Sequence, residues 1–318
     1  MSSVSSSLPL FPDPVEARWI YSMRNRGVIE RLLTVRTQKG GAPLEICVMT
    51  DLHINYCNEE DLKDPVLAST AEHRVAFDRR HVLPNIDNCF HYINEDTRTI
   101  ILGDIYDYLS QGVIELTDRH VFSHKNVIAC LGGHELYRQM QGTVPDPLPF
   151  EERRAMVAAH WCNDVDYYSE VLGDRVMPVL MDNGFGFLPK QIELLRRDIA
   201  RAREEQLTML IFFHTPLNSG REEDRALKAL WKGNVSHWNF CDSAEYVGPT
   251  STGVDGEIYR LLTEHADVVR AIFAGHVHSD FYTTLPASTP DGRVAAIPQY
   301  TIHGASYNLG HLLRLQIL

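Results

Sequence analysis

Short uninterrupted apolar runs alternate with longer amphipathic stretches along this chain. The runs Leu44 to Thr50, Thr99 to Leu102, Asn126 to Leu131, Val176 to Asp182, Leu207 to Phe213 and Val268 to Ala274 all have strand length. They are apolar throughout rather than alternating, which predicts strands buried on both faces. Phe281 to Leu285, Ala295 to Ile302 and His311 to Ile317 follow at close spacing with turn residues between them, and predict an antiparallel end. Val75, Val82, Ile86, Phe90 and Ile93 recur at helical spacing, as do Leu188, Ile192, Leu195, Ile199 and Ala202. Both stripes read as core faces without functional weight. Strands alternating with helices in this way predict a layered α/β sandwich with mixed sheets.

The 318 residues suffice for one large domain with a sizeable core. No repeat, low-complexity tract or linker divides it. Residues 1–43 read as an N-terminal extension, expected to be helical and packed on the domain, and residues 44–318 as a single domain. Two polar insertions, near 137–161 and 219–256, are long for loops. The second carries Trp231, Asn234, His237 and Trp238, which suit a pocket mouth, although aromatics in long loops more often pack the loop down.

Composition narrows the classes. Hydrophobic residues make up 44% and charged residues 23%, ordinary globular values that exclude a disordered or fibrous chain. Thirty basic against 42 acidic residues leave a net charge of −12, which argues against a nucleic-acid polymer as partner. A small phosphorylated substrate stays open, because bound metal can supply the positive charge. No apolar run approaches the ~18 residues that span a bilayer, so no membrane association is expected. The start lacks a basic n-region and a full apolar stretch, and the six cysteines show no C-x-x-C pair; both suggest a cytoplasmic setting. Nothing in the sequence speaks to oligomeric state. Fifteen histidines direct attention to metal sites.

The candidate chemistry sits at strand ends. The first run ends MTDLHIN, with Asp51 and His53; the second ILGDIYDY, with Asp104; the third LGGHELY, with His134 and Glu135. Two later runs end IFFHTPLN, with His214, and IFAGHVHSD, with His276 and His278. In open α/β sheets the C-terminal strand edge is where ligands bind. A D-x-H pair is usually a turn, and a lone histidine is usually structural. Two imidazoles two residues apart on an extended segment are firmer, since both face one point. Five strand ends in order, each bearing Asp or His and none bearing Lys or Arg, would be costly without a cation. No G-x-S-x-G elbow or P-loop competes, and DNGFGFLP places Pro189 where a dinucleotide motif needs glycine.

From Ile46 onward this ordered pattern of D-x-H, G-D, G-N-H-[DE], H and G-H-x-H resembles the calcineurin-like metallophosphoesterases. The resemblance implies a four-layer α/β/β/α sandwich and a dinuclear centre of divalent transition metal. Carried over residue by residue, Asp51, His53, Asp104 and His278 would hold the first metal. Asp104 would bridge to a second, bound also by His214 and His276, and His134 would face the phosphoryl group. The resemblance implies a phosphatase or phosphodiesterase in which metal acidifies the attacking water and clamps the phosphoryl oxygens. Carboxylate and imidazole ligands suit Mn, Fe, Zn or Ni alike.

One position departs from the pattern. Where the family has a metal-ligating Asn, this chain has Gly133, so the second site loses a protein ligand. Drift compensated by Glu135 or water, a one-metal enzyme, a degraded site and an engineered change are all open. The alternative to an enzyme is an impaired scaffold acting as a protein-interaction module. Two readings are open for Glu135, orienting His134 or serving as a helix N-terminal acid. Asp107 and Tyr108 either hold ligands in place or cap and pack. His303, in TIHGASYN, is a candidate for the rim of the site.

Overall fold

Two six-stranded sheets lie face to face, each carrying helices on its outer side, in a computed structural model that describes residues 20–74, 79–139, 144–221, 246–305 and 309–318. Strands are β1 (Ile20–Arg24), β2 (Val28–Val35), β3 (Leu44–Met49), β4 (Arg98–Ile101), β5 (Val127–Ala129) and β6 (Tyr167–Ser169). They continue with β7 (Val176–Met181), β8 (Thr208–Phe212), β9 (Val269–Ala274), β10 (Phe281–Ser288), β11 (Val294–Thr301) and β12 (Gly310–Ile317). Helices are α1 (Pro65–Arg74), α2 (Arg79–His91), α3 (Gln111–Thr117), α4 (Phe150–His160), α5 (Pro189–Glu204) and α6 (Gly253–Thr263). The first sheet runs β1-β2-β12-β3-β4-β5 and the second β10-β11-β9-β8-β7-β6. Both are mixed: β3, β4 and β5 are mutually parallel, as are β7, β8 and β9, while β12 is antiparallel to β3 and β10 to β11.

The continuous apolar runs are explained by what each strand face meets. Ile46 and Val48 of β3 point between the sheets with Leu210, Phe212 and Phe273, whereas Cys47 and Met49 point outward beneath Ile86 and Phe90 of α2. Leu195 and Ile199 of α5 and Ile258 and Leu262 of α6 cover the outer face of the second sheet. Truncating a central residue such as Phe212 to Ala would cost about 3–5 kcal/mol. The result is an α/β/β/α layering with three apolar seams.

Three expectations need correction. The described part of residues 1–43 is mainly strand, with a single 3-10 turn at Asn25–Gly27: β1 and β2 form an antiparallel hairpin, and β2 pairs in parallel with β12. Alternating burial along Val28–Val35 fits a strand, not a helix. The antiparallel end holds only for β10 and β11, because β12 crosses to the first sheet between β2 and β3. The insertion near 137–161 contains α4, whose Val157 and neighbouring Trp161 join the first core. Val75, and Trp231, Asn234, His237 and Trp238 of the second insertion, lie outside the described residues.

Candidate metal centre

The C-terminal ends of β3, β4, β8 and β9 converge, and the loops beyond them stay paired after the ladders end. Asp51 N–H donates to Gly103 O at 3.0 Å, His53 N–H to Asp104 O at 2.9 Å and Gly275 N–H to His214 O at 2.9 Å. Asp51, His53, Asp104, His276 and His278 all adopt positive φ, between 47° and 69°. For non-glycine residues that conformation costs roughly 1–2 kcal/mol each. It turns successive side chains inward at one point and persists because the packed sheets beneath over-determine it.

Two clusters result. Asp51, His53, Asp104 and His278 each offer an atom within 4.8 Å of the others; Asp104, His214 and His276 do the same. Asp104 belongs to both. His278 Nε2 lies 3.0 Å from Asp51 Oδ1, and His214 Nε2 lies 3.0 Å from Asp104 Oδ2. His53 Nε2 is 3.3 Å from His278 Nε2, and His276 Nδ1 is 3.3 Å from His214 Nε2. Asp51 Oδ2 accepts from His276 N–H at 3.1 Å and Thr50 Oγ1 at 2.6 Å, so one carboxylate ties the two sheets together. The glycine of G-H-x-H is obligatory, because a Cβ on Gly275 would stand 1.9 Å from Thr50 Oγ1. Gly132 is equally constrained, with Asp104 Oδ1 2.2 Å from where its Cβ would be.

The electrostatics are those of a cation site. Burial alone would raise the Asp51 carboxyl, but the charges of His278 and His214 hold it far below the usual range. Burial likewise opposes ionisation of Asp104, and His214 and His134 overcome it. His214 resists burial through the Asp104 and Asp51 charges and is pushed up to about 10. These donors, carboxylate oxygens and imidazole nitrogens, with Asp51, His53, Asp104 and His214 buried and His276 and His278 part-exposed, fit a divalent transition metal. His214 and His276 are each aimed by a neighbour. His214 Nδ1 donates to Leu102 O at 2.7 Å, leaving Nε2 for the cluster, and the His276 Nε2 side meets Tyr246 Oη at 3.1 Å.

His134 stands at the edge with its side chain 23% exposed. Its Nδ1 donates to Asp107 O at 2.8 Å, and its Nε2 is 4.0 Å from Asp104 Oδ2. A third group, His53, Asp107 and His134, therefore adjoins the first cluster. The buried Asp107 carboxylate meets His53 Nδ1 at 3.2 Å, accepts from Asn55 Nδ2 at 3.3 Å and takes a two-pronged contact from Arg74, including Nε at 2.7 Å. The Asp107 carboxylate thus contacts the His53 ring rather than capping a turn. Tyr108 packs instead, beside Cys57, Leu67 and Ala71. Nothing in the sequence near Arg74 singled it out; it reaches the site from α1 across 33 residues.

Glu135 takes the second of its two expected places, as an acid in the first turn of a short 3-10 helix over His134–Leu136. It is fully buried, and its oxygens accept from the N–H groups of Ile105 at 2.5 Å, Gly132 at 2.8 Å, and Asp104 and Tyr106 at 3.3 Å. It builds the loop that carries Asp104. Burial and the nearby Asp104 charge push its carboxyl up to about 7. Gly133 has helical backbone angles, φ −76° and ψ −37°, so positive φ is not why a glycine stands there. A Cβ would meet only Tyr137 Cε2 at 3.7 Å and Gly184 O at 3.9 Å. His303 stacks on His311 with ring centroids 4.0 Å apart, and its N–H donates to Asp280 Oδ1 at 3.1 Å, two residues beyond His278.

Among the described residues, no helix is long and apolar enough to cross a membrane. No curated protein matches the sequence. Among solved structures, a dimetal phosphatase from Danio rerio is 13% identical, with 82% of this chain and 87% of that one covered and a TM-score of 0.45. The calcineurin-like phosphoesterase YfkN from Bacillus subtilis is 14% identical, covering 82% and 81%, with a TM-score of 0.36. PhoD is 10% identical, covering 86% and 59%, with a TM-score of 0.41. Likenesses this distant carry no argument about activity. The family model described as calcineurin-like phosphoesterase, however, matches residues 44–280, well over half the chain. The chain belongs to the calcineurin-like phosphoesterase family.

Proposed function

We propose that this protein hydrolyses a phosphomonoester or phosphodiester with two divalent transition metals, Mn, Fe, Zn or Ni. Asp51, His53, Asp104 and His278 would hold one, and Asp104, His214 and His276 the other. The observation that carries the reading is Asp104, which lies in both clusters while nearly inaccessible to water. When bound, such ions acidify water and neutralise phosphoryl oxygens. The chain's own groups do the rest. Asp107, braced by Arg74, holds His53 and His134 at fixed angles, and His134 presents Nε2 toward the phosphoryl group. There it would stabilise charge or protonate the leaving oxygen, work typically worth ~10²–10⁴ in rate.

Gly133 supplies no side-chain oxygen, so the second metal rests on Asp104, His214, His276 and solvent, and should dissociate first on dialysis. The same glycine favours the second reading, an impaired scaffold that binds a partner protein. Product release with added Mn, phosphate from a panel of monoesters and the leaving alcohol from a panel of diesters, separates them. Turnover that is lost on chelation, and metal content that collapses in Asp104→Ala but not in His134→Ala, are expected. Absence of turnover at every metal level would leave the scaffold, and full metal retention by Asp104→Ala would overturn the ligand assignment.

A further inference from the structure

Beside the centre, on the side of Gly133, a run of aromatic rings leads outward. The Tyr137 ring lies 6.2 Å edge-on from that of His134, the Phe185 ring 5.5 Å from Tyr137, and Phe150 5.1 Å from Phe185. Tyr137 and Phe185 are 39% and 49% exposed, unusual for aromatics that already touch one another. Their exposure is not the slack of a loose loop. Asn183 Nδ2 donates to Thr215 O at 2.6 Å, and Thr215 N–H returns a bond to Asn183 Oδ1 at 2.9 Å, anchoring the Phe185 turn beside His214. Gly184 N–H donates to Asp182 Oδ1 at 3.0 Å and Gly186 N–H to Asn183 O at 3.3 Å. Tyr137 is held by its own carbonyl, which accepts from Leu109 N–H at 2.6 Å. Gly133 adjoins this shelf: a Cβ there would stand 3.7 Å from Tyr137 Cε2, so the glycine presents only backbone beside the ring.

We propose that the Tyr137 and Phe185 rings form a specificity subsite for a planar aromatic leaving group on the phosphoester. This rests on the phosphoesterase reading and adds the chemical class of its substrate. A ring joined to the phosphoryl oxygen at His134 reaches Tyr137 directly, and one carried across a sugar reaches Phe185. Offset or edge-on contact of two rings attracts beyond the area it buries, and flat groups of many kinds stack on such a platform.

The test is equilibrium binding, which does not depend on turnover. Calorimetry of the Mn-loaded protein with phenylphosphonate, a nucleoside 5′-phosphonate and methylphosphonate gives aromatic-to-methyl affinity ratios. A ratio of roughly tenfold is expected for at least one aromatic probe, the scale of one stacked ring. It should fall severalfold in Phe185→Ala and Tyr137→Leu. Phe185→Leu, which keeps bulk but loses the flat face, should also lower it, with thermal melting verifying the fold of each. The probe with the larger ratio shows whether the ring is joined directly or across a sugar. Ratios near one in the wild type, no binding of any phosphonate, or a ratio that survives all three substitutions would overturn the subsite. Failure of the phosphoesterase reading is distinct: no phenol released from either phenyl phosphate or diphenyl phosphate while the aromatic preference persists.

Discussion

Single residues at this site serve several partners at once, so their substitution is expected to act beyond the lost contact. Arg74 makes a two-pronged pair with Asp107 in the interior, and Asp107 aims His53 and His134. Arg74→Ala would strand a buried carboxylate, a loss of about 3–5 kcal/mol. Denaturant unfolding should show that loss, together with weaker metal retention through His53; a variant within about 0.5 kcal/mol of wild type would contradict the bracing role. Gly133 permits the opposite experiment. Its helical φ and ordinary contact distances accommodate a side chain, so Gly133→Asn should fold normally. An added oxygen ligand is expected to tighten the second metal roughly 10–100-fold, judged by the size of ligand-support effects. Metal titration should show one site strengthened and the other unmoved. Unchanged affinity would mean that another group already completes that site.

At the level of elements, the loops after β3, β4, β8 and β9 bear the clustered carboxylates and imidazoles, while the strands beneath supply rigidity. β12 gives an independent probe of that frame. Its His311 is buried between Arg31, whose Nη2 lies 2.9 Å from His311 Nδ1, and the stacked ring of His303. Burial first, then the charges of His303 and Arg31, push the imidazole down to about 3. The unfolded chain takes up this proton near pH 6.5, whereas the folded chain does not until about pH 3. Between those values the unfolded state binds more protons, so stability rises with pH and is lost progressively as pH falls from 6.5 toward 3. His311→Asn should flatten the stability profile across that window, by an amount on the order of a few kcal/mol at its acid end. An unchanged slope would show that other groups govern acid unfolding.

For the whole molecule, joining two sheets through an acidic centre couples metal binding to folding. Asp51 accepts from His276 across the sheets, and Asp104 contacts His214 in the same way. A ligand that binds only the folded form, at 100 times its dissociation constant, adds about 2.7 kcal/mol. For a chain of this size that corresponds to roughly 4 °C in melting temperature. Mn should raise the melting temperature of chelator-treated protein by several degrees, and Asp104→Ala should abolish the response. Equal shifts in both proteins would place the stabilising metal elsewhere.

Local patterning determined much of this by itself. The nine apolar runs fall on nine strands to within three residues at either end, and a strand buried on both faces, such as β7, is apolar throughout. The carboxylates and imidazoles that cluster were legible as candidates as well, since each sits where a strand stops and the backbone must turn. Pairings between distant segments were not. The hairpin of β1 and β2 carries alternating, half-polar strands whose partner, β12, lies some 280 residues away in sequence, and no local period announces such a register. The passage of β12 into the first sheet is likewise decided by which face needs covering. Arg74 and Glu135 gained their roles only through folding. A buried carboxylate that gathers four backbone N–H groups, and a guanidinium that reaches across from α1, are defined by convergence in space. The sequence states what each side chain is able to do, and the tertiary structure decides which groups it meets, because desolvation and hydrogen-bond geometry act between neighbours in space.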